Sequence, residues 1–156
     1  MLSLVEASIP VNMGVPGAKL GLANIMVLTC LYYLRPKDAF MMVLLKTLLS
    51  AFIFGTFSSL LFSIMGAMFS FAAMWFLLLI GRNRLSLIGI SVIGGIAHNI
   101  GQLTAATLYF KTNKIFYYLP ILMIMGVLTG IAIGIAVRYL VPALSKLSLL
   151  EDFLKD

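Results

Sequence analysis

The 156-residue chain has few charged residues: they make up only 10% of it, whereas 62% of its residues are hydrophobic. An ordinary soluble domain carries about 25% charged residues, so this composition excludes the soluble globular classes. The mean hydropathy of +1.12 supports the same conclusion. The sequence therefore predicts an integral membrane protein.

Residues that build metal and catalytic sites are also scarce. The chain has one cysteine, Cys30, one histidine, His98, and five carboxylates, of which three lie in the segment 151–156. One cysteine excludes an internal disulfide, and a zinc site or a Ser-His-Asp triad needs further ligands or a carboxylate near the histidine. The glycine-rich start of the chain lacks the Gly-Lys-Ser/Thr ending of a phosphate-binding loop. We therefore expect no metal, no cofactor and no enzyme that acts alone.

Long apolar runs fill most of the sequence. A helix needs about 20 such residues to cross a bilayer, and five segments come close to or exceed that length. They predict a polytopic, all-α membrane helix bundle that forms one domain over residues 1–156. The predicted spans lie near 20–34, 39–57, 60–80, 85–108 and 116–140, followed by an amphipathic tail at 143–156 on the membrane surface.

Cations in the short loops predict the orientation of the bundle. If the five spans alternate, seven lysines and arginines fall on one side and three on the other, so the first side is predicted to be cytoplasmic, as is the C-terminus. These cations report orientation and give no sign of nucleic-acid binding. The first group is Arg35, Lys37, Arg82, Arg84, Arg138, Lys146 and Lys155, and the second is Lys19, Lys111 and Lys114.

The same orientation places the first residues outside the cell with no preceding span. One interpretation is that residues 1–9 are the end of a truncated first helix of a six-helix protein. The other is that a short N-terminus crosses the membrane unaided.

Three strongly polar side chains, His98, Asn99 and Gln102, lie within five positions of the predicted span 85–108. Hydrocarbon offers no hydrogen-bond partners, so these groups must face protein, ligand or water. His98 and Gln102 are four residues apart and therefore share a helix face. Two interpretations stay open: a polar link between helices, or contact with a ligand.

Lys46 lies roughly 12 Å inside its span at 1.5 Å per residue. It bends back to the headgroups, pairs with a buried acceptor or senses an anionic ligand. If the helices are neighbours, several polar residues converge toward the outer half of the bundle and form a ligand-binding pocket open to the outside. Its predicted members are Glu6, Lys19, Asn24, Lys46, Thr56, His98, Asn99 and Gln102.

Small residues form a strip along the last span, where Gly126, Gly130 and Gly134 recur at intervals of four. Such a strip allows another helix to approach closely. It serves either packing inside the bundle or docking to a partner membrane protein.

Four runs carry a resemblance to a known family. They are residues 6–10 (EASIP), 16–24 (PGAKLGLAN), 54–57 (FGTF) and 91–102, the last ending in AHNIGQ. Together they resemble the bacterial membrane family often labelled heptaprenyl diphosphate synthase component I, also called the Gx transporter family. The resemblance covers nearly the whole chain, and its main departure is the start of the first helix.

The resemblance implies two kinds of function. The family is similar to the S components of energy-coupling-factor transporters, six-helix proteins of the bacterial cytoplasmic membrane that capture a small molecule from outside. Such a protein docks on a transmembrane coupling protein driven by two ATPases. A vitamin-like, quinone-precursor, flavin-related or isoprenoid ligand would then bind in the predicted pocket.

The synthase label implies the alternative. Prenyl transfer uses aspartate-rich motifs that hold magnesium-bound diphosphate, and the chain contains no DDxxD motif. It would then be a non-catalytic membrane subunit of a heptaprenyl diphosphate synthase with a soluble prenyltransferase partner, or of a flavin or quinone electron-transfer system. In this alternative Lys46 and Lys19 are the candidates to face the diphosphate.

Overall fold

The computed structural model describes residues 24–54, 57–81 and 85–145. They form five α-helices, and no strand occurs in these ranges. The helices are α1 (Asn24–Tyr33), α2 (Pro36–Phe54), α3 (Phe57–Gly81), α4 (Leu87–Phe110) and α5 (Leu119–Ser145), with a short 3-10 helix at Asn113–Tyr118 between the last two.

Local sequence signals explain where the helices begin and end. Pro36 opens α2, a position where its missing N–H is not needed and where it also stops α1 from continuing. Ser86 caps α4, because its hydroxyl accepts a hydrogen bond from the N–H of Gly89 at 3.1 Å. Lys111 ends α4 in the left-handed conformation, with φ of 50°.

α4 is the central helix. It contacts α3 on one side and α5 on the other, and both neighbours run antiparallel to it. α1 and α2 pack against this three-helix unit, and Tyr33 at the end of α1 donates a hydrogen bond to the carbonyl of Val141 in α5. Apolar side chains from all five helices form the main core, including Leu28, Val43, Met74, Ile90 and Val137.

Three helical segments in the described part of the chain are long and apolar enough to cross a membrane: Phe57–Gly81, Leu87–Phe110 and Asn113–Ala143. Their outer faces carry exposed apolar residues such as Phe76 and Ile124, as expected for surfaces in contact with lipid. The chain is a membrane protein, and the predicted all-α membrane bundle is confirmed.

The helix bounds differ from the predicted spans by a few residues. α5 continues through Pro142 to Ser145, so three residues of the predicted tail belong to this helix. Proline is tolerated in membrane helices because neighbouring groups re-satisfy the backbone that it frees. The rest of the predicted tail, the residues Gly55 and Thr56 between α2 and α3, and the proposed truncated first helix lie outside the described residues.

Candidate functional site

Two glycines bring α3 and α4 into backbone contact near the middle of both helices. A β-carbon on Gly101 would lie 2.6 Å from the carbonyl oxygen of Met65, a distance that real β-carbons do not reach. Gly66 lies directly opposite, and a β-carbon there would lie 2.8 Å from Cγ of Gln102 and 2.9 Å from Cε1 of His98. The side chains of His98 and Gln102 in α4 therefore pack directly against the backbone of α3 at Gly66.

His98 and Gln102 form a buried pair. Nε2 of Gln102 lies 3.0 Å from Nε2 of His98. Gln102 is only 4% exposed and His98 only 6%. Since the amide nitrogen can only donate, this bond holds the ring proton of His98 on Nδ1. The carbonyl oxygen Oε1 of Gln102 is left without a hydrogen-bond partner among the described residues.

Asn99 points the other way, toward α5. Its Nδ2 donates a hydrogen bond of 2.5 Å to the carbonyl oxygen of Leu122, and it lies against Gly126. The polar trio thus divides between two interfaces. Asn99 links helices, the first of the two interpretations, while His98 and Gln102 face α3.

Two serines of α3 extend the polar character of this contact. Ser63 and Ser70 lie one turn to either side of Gly66 and share its face of the helix. Both are buried, and neither hydroxyl has a hydrogen-bond partner in the described structure. We refer to Ser63, Gly66, Ser70, His98 and Gln102 as the polar seam.

Sequence reasoning missed the serines. Their signal was the spacing of Ser59, Ser63, Gly66 and Ser70, which recur at intervals of four, three and four and so lie on one helix face. A buried polar atom without a partner costs about 1–3 kcal/mol, so an acceptor and two hydroxyls in one seam favour a bound molecule or water there.

The other predicted pocket residues are spread over the bundle. Asn24 is buried at the start of α1, and its Nδ2 makes no hydrogen bond within the described structure. Lys46 is half-buried in α2, within electrostatic range of Cys30 on α1. Glu6, Lys19 and Thr56 lie outside the described residues. A pocket that joins all eight residues stays a prediction, and the structure brings together only His98 and Gln102.

The glycine strip of α5 faces α4. A β-carbon on Gly126 would lie 3.3 Å from the carbonyl of Gly95, and β-carbons on Gly130 and Gly134 would lie 2.5 Å from Cα of Val92 and of Ile88. A partner helix cannot reach these faces without displacing α4. In the described structure the strip therefore packs α5 against α4, and a docking role for Gly126, Gly130 and Gly134 stays a prediction.

Comparison with known proteins gives one family. The family model described as "Heptaprenyl diphosphate synthase component I" matches residues 1–140. The description names one component of a synthase, in agreement with a chain that is not an enzyme by itself. No curated protein and no solved structure matches the chain significantly.

Proposed function

The chain belongs to the heptaprenyl diphosphate synthase component I family, and from this premise we propose that it is a non-catalytic membrane subunit that binds a small molecule inside its bundle. Its partner in this proposal is the soluble, catalytic component of a prenyl diphosphate synthase. The observation that carries the binding role is the polar seam, with the buried, unpartnered Oε1 of Gln102 at its centre.

The chemistry of prenyl transfer is assigned to the partner. That reaction needs carboxylates that hold magnesium ions on a diphosphate, and the sequence has no DDxxD motif. Within the described residues, no three histidine, cysteine or acidic side chains lie close enough to hold a metal ion.

The polar seam favours a particular class of ligand. Oε1 of Gln102 is an acceptor, so it needs an N–H or O–H group. A flavin ring or a hydroxylated naphthalene offers such donors together with a flat apolar body. A fully ionised diphosphate offers none, and the seam contains no cation to balance its charge. We therefore assign the seam to a flavin-related or quinone-precursor ligand.

Replacing Gln102 by leucine tests this assignment. The change keeps the size of the side chain and removes its acceptor, so the affinity for a ligand that donates to Oε1 should fall about tenfold, the value of one hydrogen bond. Riboflavin and 1,4-dihydroxy-2-naphthoate are suitable probes, titrated against the detergent-purified chain by calorimetry. Thr104→Val is the matched control, because the hydroxyl of Thr104 bonds the carbonyl of Ile100 in its own helix. Equal affinities of Q102L and the unaltered protein, or no saturable binding of either probe, would overturn the assignment.

Co-purification tests the proposed partner. Affinity-tagged chain extracted from its native membrane should retain the soluble prenyltransferase component, and native mass spectrometry should show both subunits. Prenyltransferase activity should then fall when this chain is deleted. Full activity of the soluble component in the deletion strain would contradict the subunit role.

A second candidate function is favoured by the depth of the polar seam. His98 and Gln102 lie near the middle of α4, where a soluble enzyme cannot reach them, whereas a molecule that enters the bundle can. This is the arrangement of a substrate-binding subunit for a transporter of the energy-coupling-factor type. Recovery of a transmembrane coupling protein and two ATPases in the same co-purification, in place of the prenyltransferase, would select this function.

A further inference from the structure

The polar seam has two ends, and apolar side chains close each of them. Beyond Ser70 lies the main core, to which all five helices contribute. Beyond Ser63, at the opposite end of the seam, lies a second apolar cluster, which we call the end cluster. Its buried members in the described structure are Phe62, Ala105 and Ala106, and Leu61, Met65 and Ile115 pack against them.

Phe62 is the large buried side chain of the end cluster and is only 1% exposed. It packs with two alanines that lie one helical turn beyond Gln102 in α4. Toward the surface it meets the rings of Tyr109 and Phe110, at centroid distances of 5.9 and 6.1 Å. Since those two rings are 49% and 45% exposed, Phe62 is the buried ring that separates this end of the seam from the surface of the described structure.

The connection between α4 and α5 folds over the same end. Its 3-10 helix, Asn113–Tyr118, contacts both helices, and we call it the strap. Ile115 of the strap packs against the end cluster, but none of the strap residues is fully buried, and Tyr117 is 83% exposed. A 3-10 helix has poorer hydrogen-bond geometry than an α-helix, and a segment with few buried apolar contacts opens at low free-energy cost. The strap is therefore weakly held over Phe62.

The opposite end of the seam offers a longer route. Along α3, Ser70 lies roughly 16 Å from the last residue of the helix, whereas Ser63 lies roughly 9 Å from the first. Met74 occupies the contact between α3 and α4 on the longer route: it is fully buried, and a β-carbon on Gly94 would lie 2.7 Å from its Cγ and Sδ. Entry there has to displace the main core.

At the strap end α3 and α4 can stay together. Rotation of the Phe62 ring and withdrawal of Ile115 change contacts of the end cluster only. The backbone contact between the two helices at Gly66 and Gly101 is kept. The strap end is thus the end at which the seam opens with the smaller rearrangement.

We propose that the strap and Phe62 form the closed entrance of the polar seam, and that a ligand reaches Gln102 by displacing Ile115 and the ring of Phe62. This inference rests on the proposed role of the seam as the ligand site, and it holds for either candidate function. In the orientation predicted from the loop cations, the entrance lies on the outer side of the membrane.

Thiol accessibility tests the entrance without any ligand. Ser63→Cys in a Cys30→Ser background places the single thiol of the chain in the seam. Its rate of modification by a small, charged methanethiosulfonate is measured on the full chain in detergent. The closed entrance keeps this rate low, because the reagent reaches the thiol only in molecules that have opened. We expect the rate to rise about tenfold or more in Phe62→Ala and severalfold in Ile115→Ala, since both remove apolar side-chain volume that closes the entrance.

Two further variants are the controls. Tyr117→Ala removes an exposed ring from the strap that does not belong to the end cluster. Met74→Ala makes a large-to-small change in a buried side chain at the other end of the seam. Both should leave the rate close to that of S63C alone. Melting curves identify any variant that is loosened as a whole, and I115A, whose side chain is only half-buried, carries the test if F62A does not fold.

Three outcomes would overturn the proposal. The first is an unchanged rate in the folded F62A and I115A variants. The second is an increase in M74A as large as that in F62A, which would place the entrance at the other end of the seam. The third is the absence of modification in every variant, which would show that the end cluster does not lead to the seam.

The result is distinguishable from failure of the proposed function. Faster modification in F62A and I115A without saturable binding of riboflavin or 1,4-dihydroxy-2-naphthoate leaves the entrance standing and removes the ligand assignment. Binding that depends on Gln102, with modification unchanged in both variants, does the reverse.

Discussion

Replacing Gly130 by alanine is expected to lower the free energy of unfolding of the bundle by about 3 kcal/mol. The added β-carbon would lie 2.5 Å from Cα of Val92 and 3.0 Å from the carbonyl oxygen of Ser91. These are backbone atoms of α4, so no side-chain rotation relieves the contact. α5 must move away from α4, and the hydrogen bond between Asn99 and Leu122 is lost with it.

Thermal unfolding of the purified protein in detergent measures this effect. Gly89→Ala is the matched control: it makes the same change in the first turn of α4, where the new β-carbon meets only Oγ of Ser86 at 3.4 Å. G130A should unfold at a clearly lower temperature and G89A close to the unaltered protein. Equal melting temperatures for the two variants would show that α4 and α5 do not approach as closely as described.

Replacing Gly66 by alanine is expected to abolish most ligand binding at the polar seam while the protein still folds. The new β-carbon comes closest to the side chains of Gln102 and His98, at 2.8 and 2.9 Å, and these can move. It also lies 3.0 Å from the carbonyl oxygen of His98, which requires a shift of only a few tenths of an ångström. Displacement of the two side chains breaks the 3.0 Å bond between them and misplaces both polar groups. Loss of two hydrogen bonds to a ligand, each worth about 1–1.5 kcal/mol, weakens binding roughly 30- to 160-fold.

Calorimetry with the same two probes tests the effect on binding, and a melting curve in parallel tests the fold. G89A again serves as the control and should bind normally. Retained affinity in a folded G66A protein would mean that the ligand does not use the seam. A binding loss that accompanies collapse of the melting transition would instead locate the effect in the packing of α3 on α4.

Composition and periodicity were sufficient to predict the class of this fold. A backbone can lie in hydrocarbon only when its N–H and C=O groups are hydrogen-bonded to each other. Long apolar runs with few charges therefore predict a bundle of helices. The break at Arg35 and Pro36 also follows from local chemistry, because proline cannot continue α1 and is well suited to begin α2.

The candidate site was less accessible to sequence reasoning. The presence of His98, Asn99 and Gln102 in a span indicated buried polar contacts, but the direction of each side chain depends on the neighbours of α4. Asn99 is one position from His98, a rotation of about 100° around the helix, which turns it to α5. Serine is common in membrane helices, so Ser63 and Ser70 do not stand out in the sequence. They matter because they lie beside Gly66 on the face of α3 that contacts α4.

The glycine strip shows the same dependence on tertiary context. Its spacing predicted close helix approach, and Gly130 does approach the backbone of Val92. The spacing carries no information on whether the approaching helix belongs to the same chain. In this bundle the approaching helix is α4 of the same chain, and only the tertiary arrangement of the helices shows this.

The hydrogen bond from Tyr33 to Val141 joins residues 108 positions apart. By contrast, α3, α4 and α5 are consecutive in sequence, and each pairs with its neighbour through a short connection whose closure costs little entropy. During synthesis these two hairpins can assemble as each helix emerges, whereas α1 has to wait for the last turns of α5. The first described helix to be made is thus the last to gain its full set of neighbours.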